Sequence, residues 1–194
     1  DDQYDMVEYS VTTDGHTWRE PTIVIANPQV PPGNSYVARP YLASNIAGEL
    51  FMGYQNVSVY LASSPIARAW DPRSWSIVDP IEQGYFSIPN IKDNTSVNLF
   101  TTDFYLATGC SCLHLLLRTA QLPSLDFSDP IDISGDPRLG ATKPQVLVDV
   151  DSGKLNVVWE QGLDGDRGYV GDPATVMFAS SEDAGSTWST PYQL

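Results

Sequence analysis

The stretch Ser181-Glu182-Asp183-Ala184-Gly185-Ser186-Thr187-Trp188 has the composition of a tight turn between two strands. A short acidic side chain accepts backbone N–H groups across such a turn, and glycine permits a positive φ. A copy one residue shorter between its aspartate and threonine is Thr12-Thr13-Asp14-Gly15-His16-Thr17-Trp18. We expect Asp14 and Asp183 to hold these turns, and both tryptophans to pack between sheets.

An aromatic residue followed closely by proline recurs along the chain. These aromatic residues are Trp18, Trp75, Phe127 and Trp188, with separations of 57, 52 and 61 residues. A spacing this regular, with the scatter expected of loops, indicates a repeated structural unit.

The segments between the aromatic residues also agree. Residues 39–42 followed by 48–55 resemble residues 143–146 followed by 153–160. Each unit consists of four short strands, with glycine, proline, asparagine and aspartate at the joints. Twisted sheets that are apolar on both faces must be sandwiched between neighbours around an axis. The predicted fold class is therefore all-β, a β-propeller of four-stranded antiparallel blades.

The stretch 181–188 resembles the Asp box, S-x-D-x-G-x-T-W, of the sialidase-like (BNR-repeat) propellers. The matching residues are Ser181, Asp183, Gly185, Thr187 and Trp188, with Asp14, Gly15, Thr17 and Trp18 in the shorter copy. In that family these turns lie on the face opposite the active site. The resemblance therefore implies that Asp14 and Asp183 are structural rather than catalytic.

The strand pattern predicts one domain over residues 1–194, a partial ring of about three and a half blades with Asp-box turns. The predicted units are 1–26 (half a blade), 36–80, 85–131 and 138–194. The resembled sialidases close six blades, and a closed ring leaves no exposed sheet edge. We therefore expect further propeller blades as partners, from the same chain or from another.

The composition excludes some classes of partner. Hydrophobic residues make up 42% of the chain and charged residues 18%, which is typical of a globular protein. The formal net charge of −14 repels nucleic acid and anionic membranes. There is no membrane-spanning run of 18 apolar residues and no signal-peptide pattern, and the first residues resemble the interior of a mature protein. The resemblance implies a secreted or cell-surface protein.

In a propeller, the loops between the second and third strands and the loops between units share one face, here called the loop face. Its segments are 27–39, 55–58, 80–88, 103–112, 130–143 and 160–175. Arginine there can bind a carboxylate through two parallel hydrogen bonds, and tyrosine can stack on a sugar ring. The candidate ligand-binding residues are Arg39, Arg138, Arg167, Tyr36, Tyr85 and Tyr169.

Sialidases bind the substrate carboxylate with an arginine cluster and use a tyrosine–glutamate nucleophile pair and an aspartic acid as acid/base. Arg39-Pro40 occupies the position of their R-I-P motif without its middle residue, and Lys143-Pro144 places a lysine in the equivalent position. The nucleophile pair has no residue-by-residue match, so the catalytic residues stay unknown.

Two smaller features concern metals and thiols. Asp164 and Asp166 lie among glycines on the loop face and can offer oxygen ligands to Ca²⁺, with a plain solvated loop as the alternative. No other cofactor is predicted. Cys110 and Cys112 are either two thiols or one local disulfide, and they lack the further ligands of a closed zinc site.

These observations leave two functional hypotheses. The first is a glycan- or protein-binding or structural module without catalytic activity, which the missing catalytic set favours. The alternative is a glycoside hydrolase of the sialidase type, with part of its active site outside this chain. A shared fold does not decide between them.

Overall fold

A computed structural model describes residues 6–26, 38–56, 58–78, 81–91, 94–104, 112–136, 139–149, 151–162 and 174–194. These residues form fifteen strands and two short 3₁₀ helices, Ile66–Arg68 and Pro72–Ser74. The predicted all-β class is therefore confirmed. The described residues contain no helix long and apolar enough to cross a membrane.

The strands in chain order are β1 Met6–Tyr9, β2 Thr22–Ala26, β3 Ala38–Ser44, β4 Glu49–Asn56, β5 Ser58–Pro65, β6 Ser76–Ile77, β7 Glu82–Gln83, β8 Tyr85–Ile91, β9 Ser96–Phe104, β10 Leu113–Gln121, β11 Ile131–Asp132, β12 Gly140–Val148, β13 Leu155–Gly162, β14 Ala174–Ser181 and β15 Tyr192–Gln193.

The strands form four antiparallel sheets that follow one another along the chain. Sheet A contains β1 and β2, sheet B contains β3 to β6 with β7 paired to β5, sheet C contains β8 to β11, and sheet D contains β12 to β15. Within sheets B, C and D, β3 to β6, β8 to β11 and β12 to β15 each pair in chain order, so each strand lies beside the one that follows it in its sheet.

Each sheet packs face to face on the next, and a separate hydrophobic cluster fills each gap. Sheets A and B share a cluster around Val7 and Met52, sheets B and C one around Phe51 and Leu99, and sheets C and D one around Leu117. Because sheet C is covered on both sides, β10 is buried along most of its length instead of alternating. The continuous apolar run at 115–117 reflects this double burial.

The first strand of sheets B, C and D carries a register shift near its start. The shifts lie between Ala38 and Tyr41, between Tyr85 and Ser87, and between Thr142 and Gln145. The shift in sheet D includes Lys143, whose φ of 50° is positive. Proline, which cannot donate to the ladder, is tolerated at such bulges, and this accounts for Arg-Pro and Lys-Pro at these positions.

The two Asp-box-like turns have similar internal hydrogen bonds. In residues 12–18 (turn A), Asp14 Oδ1 accepts the backbone N–H groups of His16 at 2.8 Å and Thr17 at 2.7 Å. In residues 181–188 (turn D), Asp183 Oδ1 accepts the N–H of Thr187 at 2.8 Å and Oδ2 accepts its hydroxyl at 2.6 Å. Both aspartates therefore hold their turns through donors a few residues ahead.

These donors favour the ionised carboxylates. Hydrogen bonds from the Thr187 hydroxyl and N–H and from the Ser181 hydroxyl lower the pKa of Asp183 to about 2. The pKa of Asp14 is also well below its ordinary value, chiefly because of the N–H groups of Thr17 and His16. Each carboxylate is thus held in its ionised form, in which it accepts hydrogen bonds within its own turn.

The two tryptophans differ. Trp188 is half-buried and meets the ring of Phe100 in sheet C edge-on, with ring centroids 6.1 Å apart. Trp18 is 62% exposed, so the expectation that it packs between sheets is wrong for the described residues. The physical reason is that the described residues place a neighbouring sheet against turn D but none against the Trp18 ring.

Candidate ligand-binding site

An open cleft of about 710 Å³ lies between sheets C and D. It is lined by Ser134, Gly135, Asp136, Leu139, Gln161, Met177, Thr190 and Pro191. Segments 130–143 and 160–175 of the predicted loop face thus contribute to the same cavity, together with the approach to β15.

One wall is the turn that follows β11. Asp132 Oδ2 lies 2.7 Å from Nδ1 of the fully buried His114 in β10, and Asp132 Oδ1 accepts the Ser134 hydroxyl at 2.5 Å. The Ser134 oxygen also accepts the backbone N–H of Leu115 at 3.2 Å. These bonds fix the turn to the middle of sheet C.

This cluster contains serine, histidine and aspartate but is not arranged for nucleophilic catalysis. A serine nucleophile needs a base that takes its hydroxyl proton, with the carboxylate behind that base. Here Ser134 donates directly to Asp132, and its oxygen lies 3.5 Å from His114 Nδ1, the same nitrogen that meets Asp132. The cluster therefore positions the cleft wall.

The next residue along this wall, Gly135, has φ of +82°, which favours glycine. A Cβ at Gly135 would come within 3.0 Å of Pro191 Cγ. Glycine is thus suited here both by conformation and by the close approach of the segment that leads into β15.

β13 contributes Gln161 to the cleft, and the residues of this strand alternate between buried and half-buried. Leu155, Val157 and Trp159 occupy three of the buried positions, and Gln161 occupies the fourth with 4% exposure. Among the described residues, Gln161 Oε1 and Trp159 Nε1 are buried without a hydrogen-bond partner. Of these two residues, only Gln161 is among the residues that line the cleft.

The remaining lining residues combine hydrogen-bonding and apolar groups. Asp136 contributes a carboxylate and Thr190 a hydroxyl, whereas Leu139, Met177 and Pro191 contribute apolar surface. No lysine or arginine is among the lining residues that the structure describes. Such a surface suits a ligand that carries both hydroxyl groups and C–H faces.

Lys143 has a partner of its own in sheet D. Its Nζ lies 2.7 Å from Glu160 Oε2, and both side chains are about half exposed. The pair joins the bulge of β12 to β13, so the positive charge of Lys143 is matched locally by a carboxylate.

The predicted ligand-binding residues are mostly outside the described parts. Arg39 lies in β3 and Tyr85 begins β8, but their side chains are not described. Arg138, Arg167, Tyr36 and Tyr169 lie outside the described residues, as do Asp164 and Asp166. Their roles in ligand or calcium binding stay predictions.

Sequence reasoning missed the residues that form the cleft. Gln161 had a usable signal, because it is a polar residue at the fourth inward position of an alternating strand. Ser134 and Asp136 had none, since a short Ser-Gly-Asp segment is typical of any surface turn.

The described residues contain no group of three or more histidine, cysteine, aspartate or glutamate side chains that could hold a metal. Cys112 is disulfide-bonded, which supports the local-disulfide alternative, and Cys110 lies outside the described residues.

No protein-family model matches the chain, and no curated protein matches it in sequence. Solved structures do match. An N-acetylgalactosamine deacetylase from F. plautii, in complex with blood group B trisaccharide, has a TM-score of 0.60 at 13% identity, covering 95% of this chain and 59% of that one. This chain therefore spans less than two thirds of that structure.

Two further structures are similar. An endo-arabinase from Bacteroides thetaiotaomicron has a TM-score of 0.54 at 14% identity, covering 97% of this chain and 72% of that one. An ulvan lyase of a polysaccharide lyase family, bound to -[GlcA(1-4)Rha3S]-, has a TM-score of 0.53 at 14% identity, covering 82% and 40%. At these identities the similarity concerns the fold alone, and this chain shares its all-β fold with all three structures.

Proposed function

We propose that this chain is a glycan-binding part of a secreted or cell-surface Asp-box β-propeller. Sheets B, C and D are its blades, and sheet A is half of a further blade. Antiparallel sheets stacked in chain order, with Asp-box-like turns in sheets A and D, support the propeller. Further blades, from the same or a partner chain, complete the ring.

The observation that carries glycan binding is the cleft between sheets C and D. It combines the hydrogen-bonding side chains of Asp136, Gln161 and Thr190 with the apolar surface of Leu139, Met177 and Pro191. Sugars offer both hydroxyl groups and apolar C–H faces, and such a cleft can accept both. The three similar structures, whose proteins act on sugars or polysaccharides, support the same ligand class.

A sialidase-type glycoside hydrolase is the second candidate function. One observation favours catalysis: the similar structures are of a deacetylase, a lyase and an arabinase, all of them enzymes. Retaining and inverting glycosidases usually need two carboxylates at the reacting bond, although a sialidase with a tyrosine nucleophile does not. Among the described lining residues, Asp136 is the single carboxylate.

The test is binding of the purified chain to a panel of immobilised oligosaccharides, followed by titration calorimetry. Thr190→Trp places a large ring at the cleft rim, and Thr13→Trp makes the same change on the exposed turn A as a control. We expect Thr190→Trp to weaken glycan binding at least ten-fold and Thr13→Trp to leave it unchanged.

Two outcomes would contradict this proposal. If no glycan binds, glycan recognition is wrong, and if binding survives Thr190→Trp unchanged, the cleft is not the site. Mass spectrometry of the same glycans after incubation separates the two candidates, because a product of altered mass would establish the enzyme instead.

A further inference from the structure

We infer that the chain assembles head to tail with a second copy of itself, with the outer face of sheet D on one copy packed against the Trp18 side of sheet A on the other. The outer face of sheet D is the face turned away from sheet C, and its apolar residues are Leu147, Val158, Val176, Phe178 and Tyr192. This inference rests on the propeller stacking in the proposed function, and it names the partner that continues the stack.

The first step concerns where the repeated aromatic residues pack. Trp75, which leads into β6 of sheet B, meets Tyr9 of sheet A edge-on, with ring centroids 6.2 Å apart. Phe127 of sheet C packs against the cluster shared by sheets B and C. Trp188 of sheet D meets Phe100 of sheet C at 6.1 Å. Each of these three side chains therefore packs toward the sheet that precedes its own.

Trp18 is the fourth repeated aromatic residue and lies before β2 of sheet A. By the same rule its ring packs toward a sheet that precedes sheet A, and the side of sheet A on which that sheet would lie is here called the Trp18 side. Sheet A is the first sheet among the described residues, and Trp18 is 62% exposed. The Trp18 side therefore presents a large aromatic ring at a repeat position where the other three units form an inter-sheet contact.

The second step concerns the outer face of sheet D. Val158 of β13 pairs with Phe178 of β14, which pairs with Tyr192 of β15, so these three side chains share one face. Val176 lies two residues before Phe178, and Leu147 pairs with the residue two before Val158, so both lie on the same face. Leu147 is 68%, Tyr192 52% and Val176 47% exposed. A contiguous apolar surface of this kind indicates an interaction surface.

The counterparts of these residues in sheet B are buried. Residues 59–64 and 176–181 occupy the same place in their units, so Val59 corresponds to Val176 and Leu61 to Phe178. Val59 and Leu61 are 0% exposed, because they pack in the cluster between sheets B and C. The outer face of sheet D thus has the residue types of a covered face, while the described residues place no sheet upon it.

The two exposed surfaces match the contact already formed between sheets C and D. There Trp188 meets Phe100, which pairs with Leu117. In both sheets the residue after the repeated aromatic donates its N–H to a carbonyl of the third strand, two residues beyond Leu117 in sheet C and two beyond Phe178 in sheet D. Val158 and Phe178 are therefore the equivalent pair in sheet D. Trp18 of a second copy supplies the ring that such a pair receives.

Charge at the outer face of sheet D is matched locally. Glu160 pairs with Val176 in the ladder and so lies on this face, and its carboxylate lies 2.7 Å from Lys143 Nζ. The two chains repel over longer distances, because each has a formal net charge of −14. Salt screens that repulsion and leaves apolar burial intact, so we expect self-association to strengthen as salt is added.

The experiment is sedimentation velocity of the purified chain over a range of protein concentrations, at low and moderate salt. We expect particles of two or more chains, in a proportion that rises with concentration and with salt. Trp18→Ala and Leu147→Lys each remove one of the two surfaces, and we expect self-association at least ten-fold weaker in each. Trp70→Ala, at another exposed tryptophan, and Ile46→Lys, at an exposed turn of sheet B, are the matched controls and leave it unchanged.

Mixing the two variants tests the direction of the contact. The Trp18→Ala chain keeps its outer face of sheet D and the Leu147→Lys chain keeps its Trp18 side, so an intact contact forms only between unlike chains. We expect energy transfer between differently labelled variants in the mixture and none within either variant alone. Urea unfolding at low concentration, where the chains are dissociated, confirms that each variant is folded. Val176→Lys, on the same face, replaces Leu147→Lys if that variant is unfolded.

The outcomes separate this inference from the proposal on which it rests. A chain that stays monomeric at every concentration, a folded Trp18→Ala chain that associates as the original does, or a mixture that does not associate overturns the inference. The glycan panel is measured on the same preparations. Glycan binding by a monomeric chain leaves the proposed glycan recognition standing, whereas self-association without any glycan binding contradicts that recognition alone.

Discussion

Turn A and turn D have similar local structures and different surroundings. In each, a hydroxyl two residues earlier donates to the aspartate, from Thr12 to Asp14 at 2.9 Å and from Ser181 to Asp183 at 2.8 Å. In turn D, a Cβ built at Gly185 would come within 2.6 Å of Leu117 Cδ2 in sheet C, and Asn98 Nδ2 donates to the Ala184 carbonyl at 3.4 Å. A Cβ built at Gly15 in turn A would meet nothing within 4 Å.

The difference shows that the motif by itself specifies the hydrogen-bonded turn. Contact between the turn and another sheet requires that sheet to pack against it. The hydrogen bonds of the aspartate lie within the turn and form in either setting. The packing of glycine and tryptophan depends on a second sheet, which the described residues provide for turn D.

The largest contrast is expected between glycine substitutions. Gly185→Ala forces a side chain into φ of +99° and brings its Cβ within 2.6 Å of Leu117 Cδ2, so we expect a loss of about 3 kcal/mol in unfolding free energy. Gly15→Ala has φ of +75° and open space, so only the backbone strain of about 1 kcal/mol applies. Urea denaturation measures the unfolding free energy of both variants. Equal losses would show that crowding of the new Cβ against Leu117 adds nothing to the backbone strain.

The tryptophans provide a second matched pair. Trp188→Ala removes a half-buried ring from Phe100, and we expect a loss of about 2 kcal/mol in unfolding free energy. Trp18→Ala removes a ring that is 62% exposed, and we expect a change within about 0.5 kcal/mol.

A double-mutant cycle sharpens this second comparison. Combining Trp188→Ala with Phe100→Leu should give a coupling energy of about 1 kcal/mol, since the two rings touch edge-on. Additive effects would mean that Trp188 stabilises the protein without its neighbour.

The smallest expected effect concerns the stability of the two turns at acidic pH. Because the folded-state pKa of Asp183 is lowered to about 2, its stabilising contribution is complete above its ordinary pKa of 3.8 and is lost as pH falls toward 2. We expect Asp183→Asn to lower the melting temperature by a few degrees at pH 7, with the difference disappearing near pH 2. Asp14→Asn should act in the same direction, with its acid loss at lower pH, because the pKa of Asp14 is lowered further. Melting curves across pH 2 to 7 measure both variants, and a gap that persists at pH 2 for Asp183→Asn would contradict the role of its charge.

Prediction from sequence succeeded where the interactions are local. The strand pattern of β13 is visible as alternation, and the Asp-box-like turns are visible as residue types at set spacings. Two predicted loop-face segments, 130–143 and 160–175, contribute to the cleft, but its individual lining residues were not predictable, because Ser134, Gln161 and Thr190 are far apart in the chain and meet only when sheets C and D pack. Among these residues, Gln161 alone has a recognisable signal in the sequence, because it is a polar residue at an inward-facing position of the alternating strand β13.

The sequence by itself determined the all-β class, the short strands and both turns, since period-two side-chain alternation and hydrogen bonds over a few residues need no distant partner. The tertiary structure decided that Trp188 is half-buried and Trp18 exposed, and that Gln161 Oε1 has no partner among the described residues. Burial and hydrogen-bond satisfaction depend on which sheet packs against a residue, and that information is not contained in the residue's own strand.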